Sequence, residues 1–374
     1  MDSKLALAIA TLSGTIIGVG VFSIPYVVSQ VGFLLGIFYL LILTGVTLTL
    51  HLMYGEIILR SKEICRLPGY AKQYLGETGK NFASVSNFIS LPFALICYII
   101  AGGEFLSTVL PYPFIICSFL LWIVMSLGIF LGTTPISKIE FFMLVLMLTI
   151  IGTIFFISLP QINFKNFVGL YPEKFFLPYG VILFALAGTN AIPTLRHILE
   201  GRERDFKKAI IIGTLVPAFF YIIFSFAVVG VSGNQTSEEA ISGLAGRLGD
   251  NIIYLGVVLG LIAISTSFLT LGIYLRDVFI LDFKIKKILA TALVIIIPLI
   301  GVILSKEYLI LLMGFIGVVL GAFEDVVLLL ISRKAETEGN RIPEWRIDVP
   351  NSMVWILCLI FIGGLIYEIF SFLR

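Results

Sequence analysis

Stretches of roughly twenty residues without charge recur along almost the whole chain, and this constrains the fold more than any other feature of the sequence. A helix needs about 20 consecutive apolar residues to cross the hydrocarbon of a bilayer. Eleven segments meet that length or approach it: 5–28, 34–59, 82–110, 114–131, 136–159, 176–195, 209–230, 252–274, 288–304, 308–331 and 353–372. Between them no stretch is long enough for a soluble domain. Of the 374 residues, 59% are hydrophobic and 13% charged, whereas soluble domains carry about 25% charged residues. The sequence therefore predicts an all-α polytopic protein of the cell membrane. The net charge of +2 sits in short clusters between apolar segments, which indicates a lipid bilayer as partner and no nucleic acid. The first apolar run passes Pro25 without a small-residue cleavage pattern, so it reads as a retained first helix rather than a signal peptide.

The basic residues test the helix count independently, because Lys and Arg gather in cytoplasmic loops. With the N-terminus inside, the cytoplasmic set is Lys4, Arg60, Lys62, Arg66, Lys72, Lys80, Lys138, Arg196, Arg202, Arg204, Lys207, Lys208, Arg276, Lys284, Lys286, Lys287, Arg333, Lys334, Arg341 and Arg346. These are 20 of the 25 basic residues. Lys165, Lys174, Arg247, Lys306 and Arg374 fall outside. A miscounted helix would scramble this partition, so eleven spans are expected, with the N-terminus cytoplasmic and the C-terminus outside.

Two of the predicted helices are interrupted in the same way. The first contains Gly14-Thr15-Ile16-Ile17-Gly18-Val19-Gly20-Val21-Phe22-Ser23-Ile24-Pro25, and the sixth contains Ala187-Gly188-Thr189-Asn190-Ala191-Ile192-Pro193. Glycine weakens a helix and proline removes one of its hydrogen bonds. Aligned at proline, both segments read Gly, three variable residues, Ile, Pro, and the starts of the two copies lie five helices apart. That pattern signals an inverted-topology repeat. Unpaired backbone is tolerated at membrane depth only where a cavity or ligand satisfies it, so the breaks mark a site. Amides at a half-helix N-terminus suit a carboxylate, and carbonyls freed by the prolines, here those of Val21 and Thr189, suit a cation. A zwitterionic amino acid carries both groups on one carbon.

The first-helix motif resembles the opening motif of the amino acid, polyamine and organocation (APC) superfamily. Within it, Leu67-Pro68-Gly69-Tyr70-Ala71, read as a loop, together with Tyr74-Leu75-Gly76 and with Thr266-Ser267-Phe268-Leu269 in the eighth helix, resembles the aromatic and hydroxy amino acid (tryptophan/tyrosine) permeases. The resemblance implies a LeuT-like fold of five plus five helices in inverted repeat, with helices 1 and 6 broken and an eleventh helix appended. Residues 1–159 would form the first repeat, 160–334 the second, and 335–374 the addition. It also implies a secondary active permease that imports an amino acid. The substrate carboxylate would lie on the Gly18-Val19-Gly20 backbone, with Thr15, Gly188, Thr189 and Asn190 lining the same pocket. A side chain at Gly20 would intrude on the bound carboxylate. Many relatives carry a hydroxyl residue where this chain has Val19.

Charged side chains at membrane depth are costly and are functional candidates by default. Glu56 has Arg60 one turn away and reads as a local ion pair. Glu104 and Glu324 have no basic neighbour and are candidates for carrying a coupling proton, whereas the hydroxyls of Thr266 and Ser267 would help to hold sodium in sodium-coupled relatives. Proton coupling is the preferred expectation, with sodium symport or exchange as the alternative. His51 stands alone and His197 lies among charges, so neither supports catalysis, and no nucleotide-binding glycine loop occurs. The cysteines have no metal-ligand spacing and read as packing groups. No enzyme and no cofactor is expected beyond the coupling ion. A channel or nutrient sensor using the same pocket is the reading from a different class, although repeated filter loops and a long soluble extension are not found in this sequence.

Overall fold

The structure, a computed structural model, describes residues 3–131, 133–304 and 309–372. Fourteen α-helices are formed among them: α1 (Ser3–Ile16), α2 (Gly20–Val31), α3 (Phe33–Arg60), α4 (Leu67–Val109), α5 (Phe114–Leu131), α6 (Thr133–Ser158), α7 (Leu177–Leu186), α8 (Ile192–Ile198), α9 (Phe206–Ser232), α10 (Ile241–Leu248), α11 (Asn251–Asp277), α12 (Lys287–Leu304), α13 (Leu309–Glu338) and α14 (Asn351–Phe372). Helix dominates because a backbone in hydrocarbon must satisfy its polar groups within each segment. Among the described residues, seven helical stretches, one of them α7 with α8, are long and apolar enough to span a membrane, and the bent pair α1–α2 makes eight. The outer helices expose large apolar side chains such as Leu34, Phe142, Trp355 and Leu359, a belt that water would not tolerate.

Each predicted segment falls on a helix or a helix pair. The expected first helix is α1 and α2, bent by 55°, and the expected sixth is α7 and α8 with a short 3₁₀ turn, Thr189–Ala191, between them. Lys306, Tyr308 and Arg374, used in counting spans and charges, lie outside the described residues. One reading needs correction. Leu67-Pro68-Gly69-Tyr70-Ala71, expected as a loop, is the first turn of α4. Proline is tolerated at a helix start, where its missing N–H would lack a partner anyway, and Leu67, Tyr70, Ala71 and Tyr74 bury one face at helical spacing. Asp282, on the π-helical extension of α11 (Val278–Asp282), accepts the Arg66 N–H at 3.1 Å, and Tyr274 Oη accepts that of Leu67 at 3.2 Å. Arg66 pairs with Asp277. A side chain at Gly69 would meet Cys65 Cβ at 2.6 Å, so glycine is required by close approach. In the 61–66 connection, burial, followed by the carboxylates of Asp282 and Glu63, pushes the Cys65 thiol up to about 11, which favours its neutral form.

The expected cytoplasmic basic clusters converge on one end of the molecule. Lys4 Nζ donates to Glu200 O at 2.9 Å, Arg196 to Ser61 O at 3.1 Å, and Arg341 to Leu59 O at 2.7 Å. Glu56 pairs with Arg60 at 2.7 Å as expected, and its other oxygen accepts the Ile347 N–H at 2.8 Å. The opposite end is tied by Tyr171 N to Val31 O at 3.1 Å and Asn163 N to Gly230 O at 2.9 Å.

At the centre, α1, α2, α7 and α8 pack among α3, α6, α9 and α11. Two half-helices end there, and their last carbonyls have no helical donor. Tyr221 of α9 supplies one: its fully buried hydroxyl lies 2.6 Å from Ile16 O and 2.8 Å from Ala185 O. A single phenol thus serves the C-terminal ends of both α1 and α7. Tyr221→Phe would leave Ile16 O with the Gly18 N–H alone and take the hydroxyl from Ala185 O, at about 1–3 kcal/mol, so the variant should unfold at a measurably lower temperature in detergent; an unchanged transition would mean that the hydroxyl does not stabilise these ends.

Candidate functional site

Between α1 and α2 the helix is interrupted over three residues, 17–19, and the local hydrogen bonds show what this exposes. Ile17 N–H still donates to Ser13 O, and Gly18 N–H turns back to Ile16 O at 2.7 Å. Val21 and Phe22 donate to Gly18 O and Val19 O, each at 3.2 Å. Among the described residues this leaves the N–H groups of Val19 and Gly20, at the N-terminus of α2, without an acceptor. The expected anion cradle therefore narrows from three amides to two, because that of Gly18 is already used.

The second break differs from expectation in one carbonyl. Thr189 O accepts the Ile192 N–H, and Gly188 O accepts that of Ala191 at 2.9 Å, so the 3₁₀ turn consumes the carbonyl that Pro193 would have freed. The glycines at both breaks serve packing as well as access. A Cβ at Gly20 would lie 2.7 Å from Ala185 Cβ, at Gly188 2.7 Å from Ile16 Cγ1, and at Gly18 2.8 Å from Ser267 Oγ. The close approach of α2 to α7 thus requires Gly20, and Gly20→Val would strain this packing as well as any bound carboxylate.

Two adjoining cavities open at the breaks. One, of about 130 Å³, is lined by Thr15, Gly18, Val19, Gly20, Gly188 and Asn190, with Tyr98 and Ser90 of α4, Phe184 of α7 and Glu324 of α13 among the facing residues. The other, of about 100 Å³, is lined by Thr189 and Asn190 with Tyr179, Glu324 and Asp325. All seven expected pocket residues line one cavity or both. Asn190 lines both, is half-buried, and among the described residues its amide has no protein partner. Thr15 turns its hydroxyl back to Thr11 O at 2.7 Å, so it presents chiefly its methyl group and backbone to neighbours. The charged lining residues are Glu324 and Asp325, both acidic.

The four coupling candidates part company. Glu324 is 7% exposed and accepts from Ser86 Oγ at 3.1 Å and Ser90 Oγ at 2.9 Å. Glu104 is exposed and lines neither cavity. Thr266 Oγ1 lies 2.9 Å from both Gly14 O and Ala263 O, and Ser267 Oγ donates to Thr15 O at 3.1 Å. These hydroxyls of α11 thus grip the last turn of α1. His51 shares a hydrogen bond of 2.9 Å with Thr214, and His197 is exposed.

Sequence reasoning missed two groups. Tyr221 gives no signal within an apolar helix. Glu140 does carry a signal, a carboxyl inside the fifth predicted segment, but its place near the segment start beside Lys138 makes it look interfacial. It is instead 2% exposed, between Thr11 and Thr270.

A profile of the tryptophan/tyrosine permease family matches residues 1–369. The tyrosine-specific transport system 1 of Haemophilus influenzae is 24% identical over 353 residues, covering 89% of this chain and 88% of its own. The glutamine transporter 2 of Aliivibrio fischeri is 24% identical over 357 residues, covering 90% and 92%. Among solved structures, the crystal structure of MhsT in complex with L-phenylalanine superposes with a TM-score of 0.69 at 16% identity, over 100% of this chain and 98% of that one. This likeness shows a LeuT-like fold. With its apolar spans, the chain is an integral membrane amino acid transporter rather than an enzyme, and it belongs to the tryptophan/tyrosine permease family.

Proposed function

We propose that the protein is a secondary active importer that moves an amino acid together with a proton by alternating access. The observation that carries this reading is that one cavity is lined both by Val19 and Gly20, whose backbone donors are unused, and by Glu324. Donors at a helix N-terminus favour a carboxylate, and an acidic lining residue favours an ammonium. The relatives are named for tyrosine and glutamine, and MhsT is seen with phenylalanine. These share only the zwitterionic head, which is the part such a cavity would hold. The basic end would face the cytoplasm, placing the N-terminus inside and the C-terminus outside the cell membrane.

Of the carboxyls expected to carry the proton, Glu324 lies on the cavity and, among the described residues, has the Ser86 and Ser90 hydroxyls as partners, and Glu104 does not line it. A sodium-coupled reading has its own support: Thr266 Oγ1, Ser267 Oγ and the carbonyls of Gly14, Thr15 and Ala263 gather oxygens of the kind a hard cation takes.

Asn190→Leu should raise the KM for uptake about tenfold, equivalent to about 1.4 kcal/mol, with the protein still folded; unchanged kinetics would remove Asn190 from the site. In proteoliposomes, an inward proton gradient should drive accumulation and an inward sodium gradient at constant pH should not. Glu324→Gln should abolish proton-driven accumulation and spare exchange. Sodium-driven accumulation lost in the Thr266→Ala, Ser267→Ala double variant would establish the sodium reading instead.

A further inference from the structure

Glu140 lies on α6, lines neither cavity, and joins three elements, α6, α1 and α11. Its Oε2 lies 2.5 Å from Thr11 Oγ1 of α1, and its Oε1 2.6 Å from Thr270 Oγ1 of α11. Thr11 is one turn before Thr15, and Thr270 is one turn beyond Thr266. The carboxyl therefore continues the seam in which Thr266 and Ser267 hold the Gly14 and Thr15 carbonyls. The break after Ile16, bent by 55°, separates α1 from α2. Besides this seam, α1 is tied by Ser13 Oγ to Gly213 O at 3.0 Å and by Lys4 to Glu200 O.

Among the described residues, no charge on the elements packed against α6 compensates this carboxyl. On α6 itself, Lys138 is exposed. On α1 the sole charged group, Lys4, reaches Glu200 O. On α5 the titratable group is Cys117, and on α8 Arg196 is taken by Ile58 O and Ser61 O while His197 is exposed. On α9, Lys207 lies over the Trp345 ring, Lys208 is exposed, and Tyr221 serves the half-helix ends. On α11, Tyr254 is exposed, Tyr274 meets Leu67, and Arg276 donates to Ile129 O and pairs with Asp277. A carboxyl buried among hydroxyls alone is costly to hold as an anion. In its acid form it can donate to one hydroxyl and accept from the other, so protonation removes the charge without breaking the seam.

We propose that Glu140 is a second protonatable group of the transport cycle, a latch that holds a proton taken from water while α1 packs against α6 and α11 and returns it to water when α1 swings away. This rests on the proton-coupled reading above. Because linkage is reciprocal, acid favours the packed position of α1, and opening drives proton release. Glu324 meets substrate at the cavity, and Glu140 senses the position of the half-helix.

The test uses the full chain in proteoliposomes, with labelled tyrosine and glutamine as probes. Glu140→Gln keeps size and hydrogen bonding but cannot take up the proton. Exchange at equal pH should persist with a displaced pH profile, since Glu324 still titrates, and proton-driven accumulation should fall at least about tenfold, the factor that one linked proton contributes per pH unit. Thr11→Val and Thr270→Val should each displace the pH profile while accumulation persists, and they decide the matter if Glu140→Gln does not fold; unshifted profiles in these variants would overturn the latch. Wild-type accumulation that ignores the proton gradient would sink the proton-coupled reading itself. Wild-type accumulation driven by protons, with Glu140→Gln retaining both accumulation and pH profile, would leave that reading standing and overturn only the latch. An equal loss of exchange and accumulation with an unchanged pH profile would show a merely structural role and overturn it as well.

Discussion

Hydrocarbon offers a backbone no partners, and the rest of the structure depends on how the two interrupted helices meet that constraint. An uninterrupted span satisfies itself, whereas α1 and α7 each end in the middle of the protein. The structure answers with one phenol, Tyr221, shared between Ile16 O and Ala185 O, with the Gly18 turn onto Ile16 O, and with the 3₁₀ turn that uses Gly188 O and Thr189 O. Among the described residues, the first break then leaves the amides of Val19 and Gly20 without an acceptor, and both residues line the cavity. The site is thus what remains once the breaks have been made tolerable.

The same accounting explains why glycine is needed where the breaks touch. Gly20 against Ala185, Gly188 against Ile16 and Gly18 against Ser267 leave no room for a side chain. Close approach brings the two unwound segments to one cavity and lets hydroxyls of α11 reach carbonyls of α1. Packing at such small-residue contacts carries much of helix association in membranes, where apolar burial adds little between helices. Ligand access and helix packing are therefore joined in the same residues, and a substitution at Gly20 reports on both.

The seam between α1 and α11 is polar along its length, from Ser267 and Thr266 to Thr270 with Glu140. It is made of hydroxyls and one carboxyl without a basic partner, and buried polar contacts of that kind depend on every member being satisfied. The tighter ionic contacts, Arg66 with Asp277 and Glu56 with Arg60, lie at the basic end, where the connections between helices meet.

The apolar run lengths by themselves determined that the chain is helical and membrane-spanning, because lipid imposes a length on every span. The Gly and Pro pattern located both breaks and, through them, seven of the residues that line the cavities. Charge alternation grouped the basic loops that the structure gathers at one end. Tertiary structure alone decided which backbone groups stay free, since Gly18 N–H and Thr189 O are consumed by turns that no spacing reveals. It also separated Glu324, on the cavity, from Glu104, exposed on α4, and found Tyr221 and Glu140. Helices hydrophobic on all sides leave no periodicity from which to read facing, so which side chain meets which neighbour is settled only when the helices pack.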